Sequence, residues 1–409
     1  MFNLTLARLV TCCITLLSQI IFTSPSRLSA RATGAGTGLV VHEWGTFTSV
    51  AGQDGITLEW RPLNFESDLP SFVHSVDGGS RRRPQPSPQP AAPPRPEPRR
   101  LIYQTKSAAR VSVRMETPIL YFYAKEETGV KVKVDFPGGK ITEWYPQARS
   151  VGGSIDWGEI KVTPDAHFDL PNDFLENHYY PARDTDAAPI QVSAEQHSEQ
   201  EKFLFYRGVG NFDLPLAIKL QEDKVAINNT QGDNICKVVI FENRGGKIGY
   251  LIHDMPQTRL TLERPVLNGK VESLRQEMKS MLISQGLYEK EADAMLNTWR
   301  DAWFEEGLRV FYIMPRKATD AVLPLLIEPQ PAELVRVLVG RTELITPQME
   351  ANVSTQVTKL DNPSDSVRQE ALREINKYGR FREFILTQVL SHTTEPKVKA
   401  GVERLLQGS

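Results

Sequence analysis

Between Leu39 and about Asp254 the chain runs in short apolar–polar alternations, broken by the Gly-rich turns AGQDG, FPGGK and NRGGK. A hydrophobic period of two belongs to β-strands, and turns of this kind join them as hairpins. This half of the protein therefore predicts an antiparallel β-sandwich body, and the fold class as a whole is α+β. After that the period changes. Val271, Leu274, Met278 and Met281 line one face of a helix stopped by Gly286, and Ala292, Met295, Leu296, Trp299 and Trp303 line a second that ends at Gly307. Strands return at LRVFYIMP and ELVRVLVGRTELITP. Residues 361–409 read as three short helices, a small HEAT-like tail in which Gly379 stops the first helix and Pro396 occupies the first turn of the last.

Four units follow: a signal peptide at 1–32, a β-sandwich body at 33–260, a helical hairpin with returning strands at 261–350, and a C-terminal helical module at 361–409. With 409 residues, 40% of them hydrophobic, the chain has enough apolar surface for a sizeable core. The opening stretch carries Arg8, a mostly apolar run from Leu9 to Phe22 and the small-x-small exit Ala30-Arg31-Ala32, which is the layout of a cleaved secretory signal. A retained anchor is the alternative, although the run is short of the roughly 20 residues that a span needs. The predicted location is extracytoplasmic, in the periplasm or outside the cell. Removing the signal leaves one cysteine, Cys236, so no disulfide can staple the fold; a buried packing role is expected for this thiol.

Charge is segregated. Residues 78–100 form a Pro/Arg-rich, disordered loop in which Arg81, Arg82, Arg83, Arg95, Arg99 and Arg100 face the single acid Glu97. The formal net charge of -2 over the whole chain therefore leaves the body acidic, which does not suit nucleic acid as a ligand.

Four of the six tryptophans follow an acid, at Glu43-Trp44, Glu59-Trp60, Glu143-Trp144 and Asp156-Trp157. Neighbours in a strand point to opposite faces, so each pair sends an indole one way and a charge the other. A hairpin closed by AGQDG places His42, Trp44, Thr48, Val50, Ile56, Leu58 and Trp60 on the buried face and leaves Glu43, Glu59 and Arg61 in water. At KVKVDFPGGKITEWYP the expectation inverts. Val130, Val132, Val134 and Phe136 make the apolar face, and a hairpin pairing Phe136 with Ile141 turns Glu143 inward and Trp144 outward. An inward carboxylate needs a partner. Arg207, alternating with Phe203, Phe205 and Val209, is the candidate.

Familiar catalytic signatures are missing: there is no HExxH, GxSxG, Walker A, CxxC or SxxK, and no cofactor is implied. The histidines, His42, His74, His167, His178, His197, His253 and His392, never take ligand spacing, so no metal site is assigned. Carboxylates beside aromatics are the equipment of sugar chemistry. The candidates are Glu143 and Asp156 as catalytic acids, with Glu159 nearby, and Trp144, Trp157, Arg207 and Tyr206 as a ligand-binding set.

The blocks VHEWGTFTSVAGQDG, RMETPILYFY, VDFPGGKITEWYP, FLFYRGVGNFDLPL and WRDAWFEEG resemble an uncharacterised family of exported bacterial proteins. That resemblance implies a bacterial, extracytoplasmic origin and supplies no reaction, cofactor or catalytic residue. The reading favoured by the sequence is non-catalytic binding of an extracellular glycan or an envelope protein, with the helical tail as a docking module and no stable transmembrane span after signal cleavage. The alternative is a glycan hydrolase using Glu143 and a second carboxylate.

Overall fold

VVHEWGTFTSVA forms β1 (Val40–Ala51), a strand with hydrogen-bonded neighbours on both sides. The computed structural model describes residues 38–60, 69–76, 111–173, 177–193, 198–255 and 258–407. The signal at 1–32 and the Pro/Arg-rich stretch at 78–100 lie outside the described residues, as do Arg61 and His197. What is described is a mixed α+β protein, mostly strands in antiparallel pairing, with seven α-helices.

The first strands after β1 are β2 (His74–Ser75), β3 (Val113–Tyr123), β4 (Thr128–Asp135), β5 (Gly139–Tyr145), β6 (Ser150–Val151), β7 (Ser154–Val162), β8 (Ile190–Ser193) and β9 (Ser198–Glu201). Next come β10 (Leu204–Gly210), β11 (Leu216–Gln221), β12 (Lys224–Asn229), β13 (Lys237–Arg244), β14 (Lys247–Asp254) and β15 (Arg259–Glu263). Helices α1 (Val271–Ser284) and α2 (Glu289–Thr298) precede β16 (Gly307–Ile313), α3 (Arg316–Val322), β17 (Leu325–Glu328) and β18 (Glu333–Leu344). The chain closes with α4 (Pro347–Lys359), α5 (Asp365–Asn376), α6 (Arg382–His392) and α7 (Pro396–Gln407).

Nine strands make the main sheet in the order β14-β13-β16-β18-β1-β3-β10-β5-β2. A six-stranded sheet runs β17-β4-β7-β8-β9 with β6 beside β7, and β11-β12-β15 make a third. The returning strands β16 and β18 stand at the middle of the main sheet, and β18 pairs with β1 in parallel. The chain therefore does not divide near residue 260: the last strands complete the sheet that the first one begins. One apolar cluster joins inward residues of all three sheets with α4–α7. A second lies on the other face of the main sheet, where α1 and α2 press Leu274, Met278, Met295 and Trp299 against Trp44, Val337 and Phe311.

Several local expectations hold. The helix α1 ends with Gly286 at φ 105, and the NRGGK turn closes β13 onto β14 through Gly245 and Gly246, both at positive φ. Trp299 and Trp303 stack with ring centroids 6.5 Å apart, although α2 itself ends before them. Other expectations are corrected. FPGGK is a corner between sheets rather than a hairpin: β4 pairs with β7, β5 pairs with β10, and Gly139 donates to the Phe136 carbonyl where the chain crosses over. The AGQDG hairpin is short. Ala51 bridges Thr57, but Ile56 is exposed and Trp60 pairs with Val111 instead of continuing along β1. Cys236 is exposed, just before β13, and not a buried packing residue. The segment after Pro347 is a helix that apolar spacing did not announce, though Thr346 caps it by accepting from the Met349 amide. No helix among the described residues is long and apolar enough to cross a membrane.

Gly340 of β18 lies opposite Tyr312 of β16, where a Cβ would stand 2.2 Å from the ring. Gly340→Ala should therefore cost about 1–3 kcal/mol, the usual penalty for overpacking a filled core. A lowered urea midpoint is the expected result; an unchanged midpoint would mean that the ring simply moves aside.

Candidate functional site

Glu143, Trp144, Trp157, Tyr206 and Arg207 gather about β5 and β10, but inside the protein, and Asp156 is not among them. Register sets Arg207 opposite Glu143 and Tyr206 opposite Trp144 across β10 and β5, while Trp157 of β7 meets the Tyr206 ring with centroids 6.0 Å apart. Trp144 is only 9% exposed and Trp157 only 3%, so neither is an outward platform for sugars. The reason is the corner at FPGGK, which carries the chain into the main sheet and leaves these indoles in the core shared with the six-stranded sheet. Trp157 spends its indole N–H on the Pro146 carbonyl, 3.0 Å away.

Glu143 is buried as expected but on the other face from the one expected: Trp144 joins Val134 and Phe136 in the first core, while Glu143 accepts from the Thr142 hydroxyl at 2.5 Å and has the anticipated Arg207 as its neighbour across the ladder. Arg207 also donates to the Thr117 hydroxyl at 3.3 Å. The alternation through Phe205, Arg207 and Val209 is interrupted by a register shift after Arg207 that moves Val209 to the other core. Asp156 belongs to a different setting. It pairs with Arg149 at 2.5 Å near the surface; slight burial raises its pKa, but the Arg149 guanidinium and the Gly158 amide outweigh that and hold the carboxyl below its usual range. The two acids sit on strands of different sheets.

The residues missed by sequence reasoning are those of the HEW motif itself. Pleat parity is right: His42 and Trp44 face α1 and α2, and Glu43 faces the opposite way. The error is in what lies there. Glu43 is fully buried rather than solvated, because β1 is central and both its faces are covered. Its carboxylate accepts from the Tyr206 hydroxyl and from Arg336 Nε at 2.5 Å, and Arg336 also reaches Asp320 at 2.7 Å. Burial, then the Glu43 charge, pushes the Tyr206 phenol far above its ordinary value. On the other face His42 Nδ1 lies 2.8 Å from Glu291 of α2, both completely buried. Tyr123 donates its hydroxyl to the second Glu291 oxygen at 2.8 Å, and the Tyr288 ring packs 4.4 Å from the imidazole.

Further along this same face a charged band crosses four strands. By register, Arg309 (β16) opposes Glu343 (β18), Arg341 (β18) opposes Thr48 (β1), and Thr46 and Thr48 oppose Glu116 and Arg114 (β3). Arg309 pairs with Glu343 at 2.8 Å, Arg341 with Glu305 at 3.0 Å, and Arg380 reaches from the turn before α6 to Glu116 at 2.5 Å. Phe381 lies beneath the Arg341 and Arg380 guanidiniums. Burial alone would raise the Glu116 pKa, yet Arg380, Arg114, Arg341 and the Thr48 hydroxyl together bring it down to about 2. Arg341 is also lowered, to about 10, by burial and by Arg380 and Arg309 beside it, which for a base disfavours the charged form. Such a concentration of perturbed groups marks either a functional site or a structural ion network. Here every acid of the band is engaged by an arginine, which is the structural arrangement.

No protein-family model matches the chain, and no curated protein sequence matches it. Among solved structures, the Fcho1 Mu homology domain of Danio rerio with bound Eps15 peptide aligns with 76% of this chain and 98% of its own, at 6% identity and a TM-score of 0.26.

The Glu116 pKa has a direct consequence. Because the folded value lies below the ordinary 4.5, Glu116 contributes stability above about pH 4.5 that fades as the pH falls toward about 2. The full contribution is roughly 3 kcal/mol. Glu116→Gln should lower stability near pH 7 by that order and flatten the loss between pH 4.5 and 2, as read from urea unfolding at several pH values. An unchanged acid profile would remove Glu116 from that role.

Proposed function

We propose that the chain is an exported, envelope-associated bacterial protein that binds a surface polymer or protein partner without transforming it. Its body is read as a β-sandwich and its terminal helices as a HEAT-like docking module. One observation carries the non-catalytic part: the candidate acids do not converge. Glu143 is interior and stands opposite Arg207, while Asp156 is held by Arg149 on another sheet. A glycosidase needs two carboxyls about 5–9.5 Å apart on either side of a bond that water and sugar can reach. A buried acid opposite an arginine and a surface acid held by another arginine on a different sheet do not make such a pair.

The glycan-hydrolase alternative rests on Glu143, so a single variant separates the two. Purified protein starting at residue 33 and its Glu143→Gln variant are screened for binding and for release of reducing ends from soluble glycans. The expected outcome is no turnover by either protein and unaltered binding by a variant with a lower melting temperature. Turnover by the parent that disappears in a folded Glu143→Gln protein would establish the hydrolase instead. Intact-mass measurement of the exported protein tests cleavage after Ala32.

A further inference from the structure

The three-stranded sheet turns one face to the core and the other to solvent. Val225 and Ile227 of β12 and Ile218 of β11 are buried in the shared core, with Leu260 and Leu262 of β15 packed against it. The alternate residues face outward, and their register is fixed: Ala217–Asn228–Arg259 form one row, Lys219–Ala226–Thr261 the next, and Gln221–Lys224–Glu263 the third. In the third row Lys224 and Glu263 pair at 2.5 Å, so that cation is satisfied. Lys219 and Arg259 are different. Both are exposed, and neither side chain forms an ion pair or hydrogen bond among the described residues.

Between these two cations the floor is made of alanine methyls, Ala217 and Ala226. Small side chains there leave a depression, and the AGQDG turn raises one wall: the Leu220 amide donates to the Gln53 carbonyl at 3.0 Å, and Gly55, at φ 83, lies so close that a Cβ would come within 2.7 Å of the Lys219 Cβ. The resulting groove encloses about 330 Å³ and is bordered by Asn228, Gln221 and Thr261 as well as by the two cations. Asp54 at its rim is turned to a local task, accepting from the Ile56 amide at 2.9 Å.

We propose that this outer face of the β11-β12-β15 sheet is a binding groove for an acidic polysaccharide, with Lys219 and Arg259 taking carboxylates on either side of the alanine floor and Asn228, Gln221 and Thr261 meeting hydroxyls. The inference rests on the binding reading above and names its ligand class. Three features select this occupant. The cations are unspent, and strands two apart in a sheet separate them by roughly 10 Å across the ladder, so successive charges on an extended polymer are matched better than one small anion. No aromatic ring lines the groove, which removes the stacking surface that a neutral sugar uses. A peptide would need a sheet edge or pockets for alternate side chains, and this groove lies on a face with a flat alanine floor. The acidic character of the body outside residues 78–100 repels the same polymer elsewhere and confines it here.

The test measures binding of polygalacturonate, neutral dextran and polyglutamate by calorimetry at low and high salt, using the protein from residue 33 and the double variant Lys219→Glu/Arg259→Glu. Both substitutions are on the surface, and unchanged melting temperature verifies folding. Expected are salt-sensitive binding of polygalacturonate, binding of dextran at least tenfold weaker, and a loss of at least tenfold in the double variant. Equal binding by the double variant overturns the groove and leaves the binding function in place at another surface. Tighter binding of polyglutamate than of polygalacturonate overturns the glycan assignment. Failure of the parent protein to bind any of the polymers overturns the groove, and if it also ignores every glycan in the wider screen the binding function falls with it.

Discussion

The strand β1 must satisfy polar side chains on two covered faces at once, and the rest of the architecture is arranged around that demand. His42 and Glu43 are adjacent in sequence and point in opposite directions, each into an interior. His42 finds Glu291, which is 249 residues away along the chain; Glu43 finds Arg336, 293 residues away. Because both faces of β1 are covered, the Glu43 carboxylate and the His42 ring would each be buried without a partner if these contacts were missing, at a cost of several kcal/mol for the carboxylate. The two contacts therefore require α2 on one side and β18 alongside before the main sheet is complete. This ties the strand around residue 42 to segments around residues 291 and 336 and makes the sheet a closed commitment of distant segments rather than a stack of local hairpins.

The same logic extends along the face toward the charged band. Arg309, Arg341, Glu343 and Glu116 are all nearly or fully buried, and such ion networks seldom add net stability relative to apolar packing of the same shape. What they do add is a heavy penalty for partial assembly. If the α4–α7 module were detached, Glu116 would lose Arg380, and Arg341 would lose the Phe381 ring that it covers. The terminal helices are in this way coupled to the sheet by electrostatics as well as by the apolar contacts of α4 and α6.

The opposite facing of His42 and Glu43 was legible from residue order alone, and so were the period change at Val271 and the Gly286 stop. Burial of the second face was not. HEWGTFTSV alternates much as a half-exposed strand does, and only tertiary cover decides that Glu43 meets Arg336 and Tyr206 rather than water. Strand partners were the weakest inference, since FPGGK has the composition of a hairpin but acts as a corner between sheets; Gly139 stands so near Phe136 that a Cβ would lie 2.3 Å from its ring. A signal was available for α4 in Thr346-Pro347, a cap followed by proline at the first helical position. None was available for His42 with Glu291, because long-range pairs between a strand and a helix leave no mark in spacing.

These observations also decide where a ligand can be sought. Charged groups near the middle of the main sheet are neutralised by one another, and the aromatic side chains that drew attention in sequence are filling the core. Free chemistry is left to the periphery, where a residue owes nothing to the fold. Lys219 and Arg259 meet that condition: the inward residues of the three-stranded sheet, Val225 and Ile227, already supply its attachment to the core, and the outward rows are at liberty to vary. A rigid scaffold built on obligatory buried pairs, with binding displayed on a surface that the pairs do not need, is the division of labour that this sheet arrangement permits.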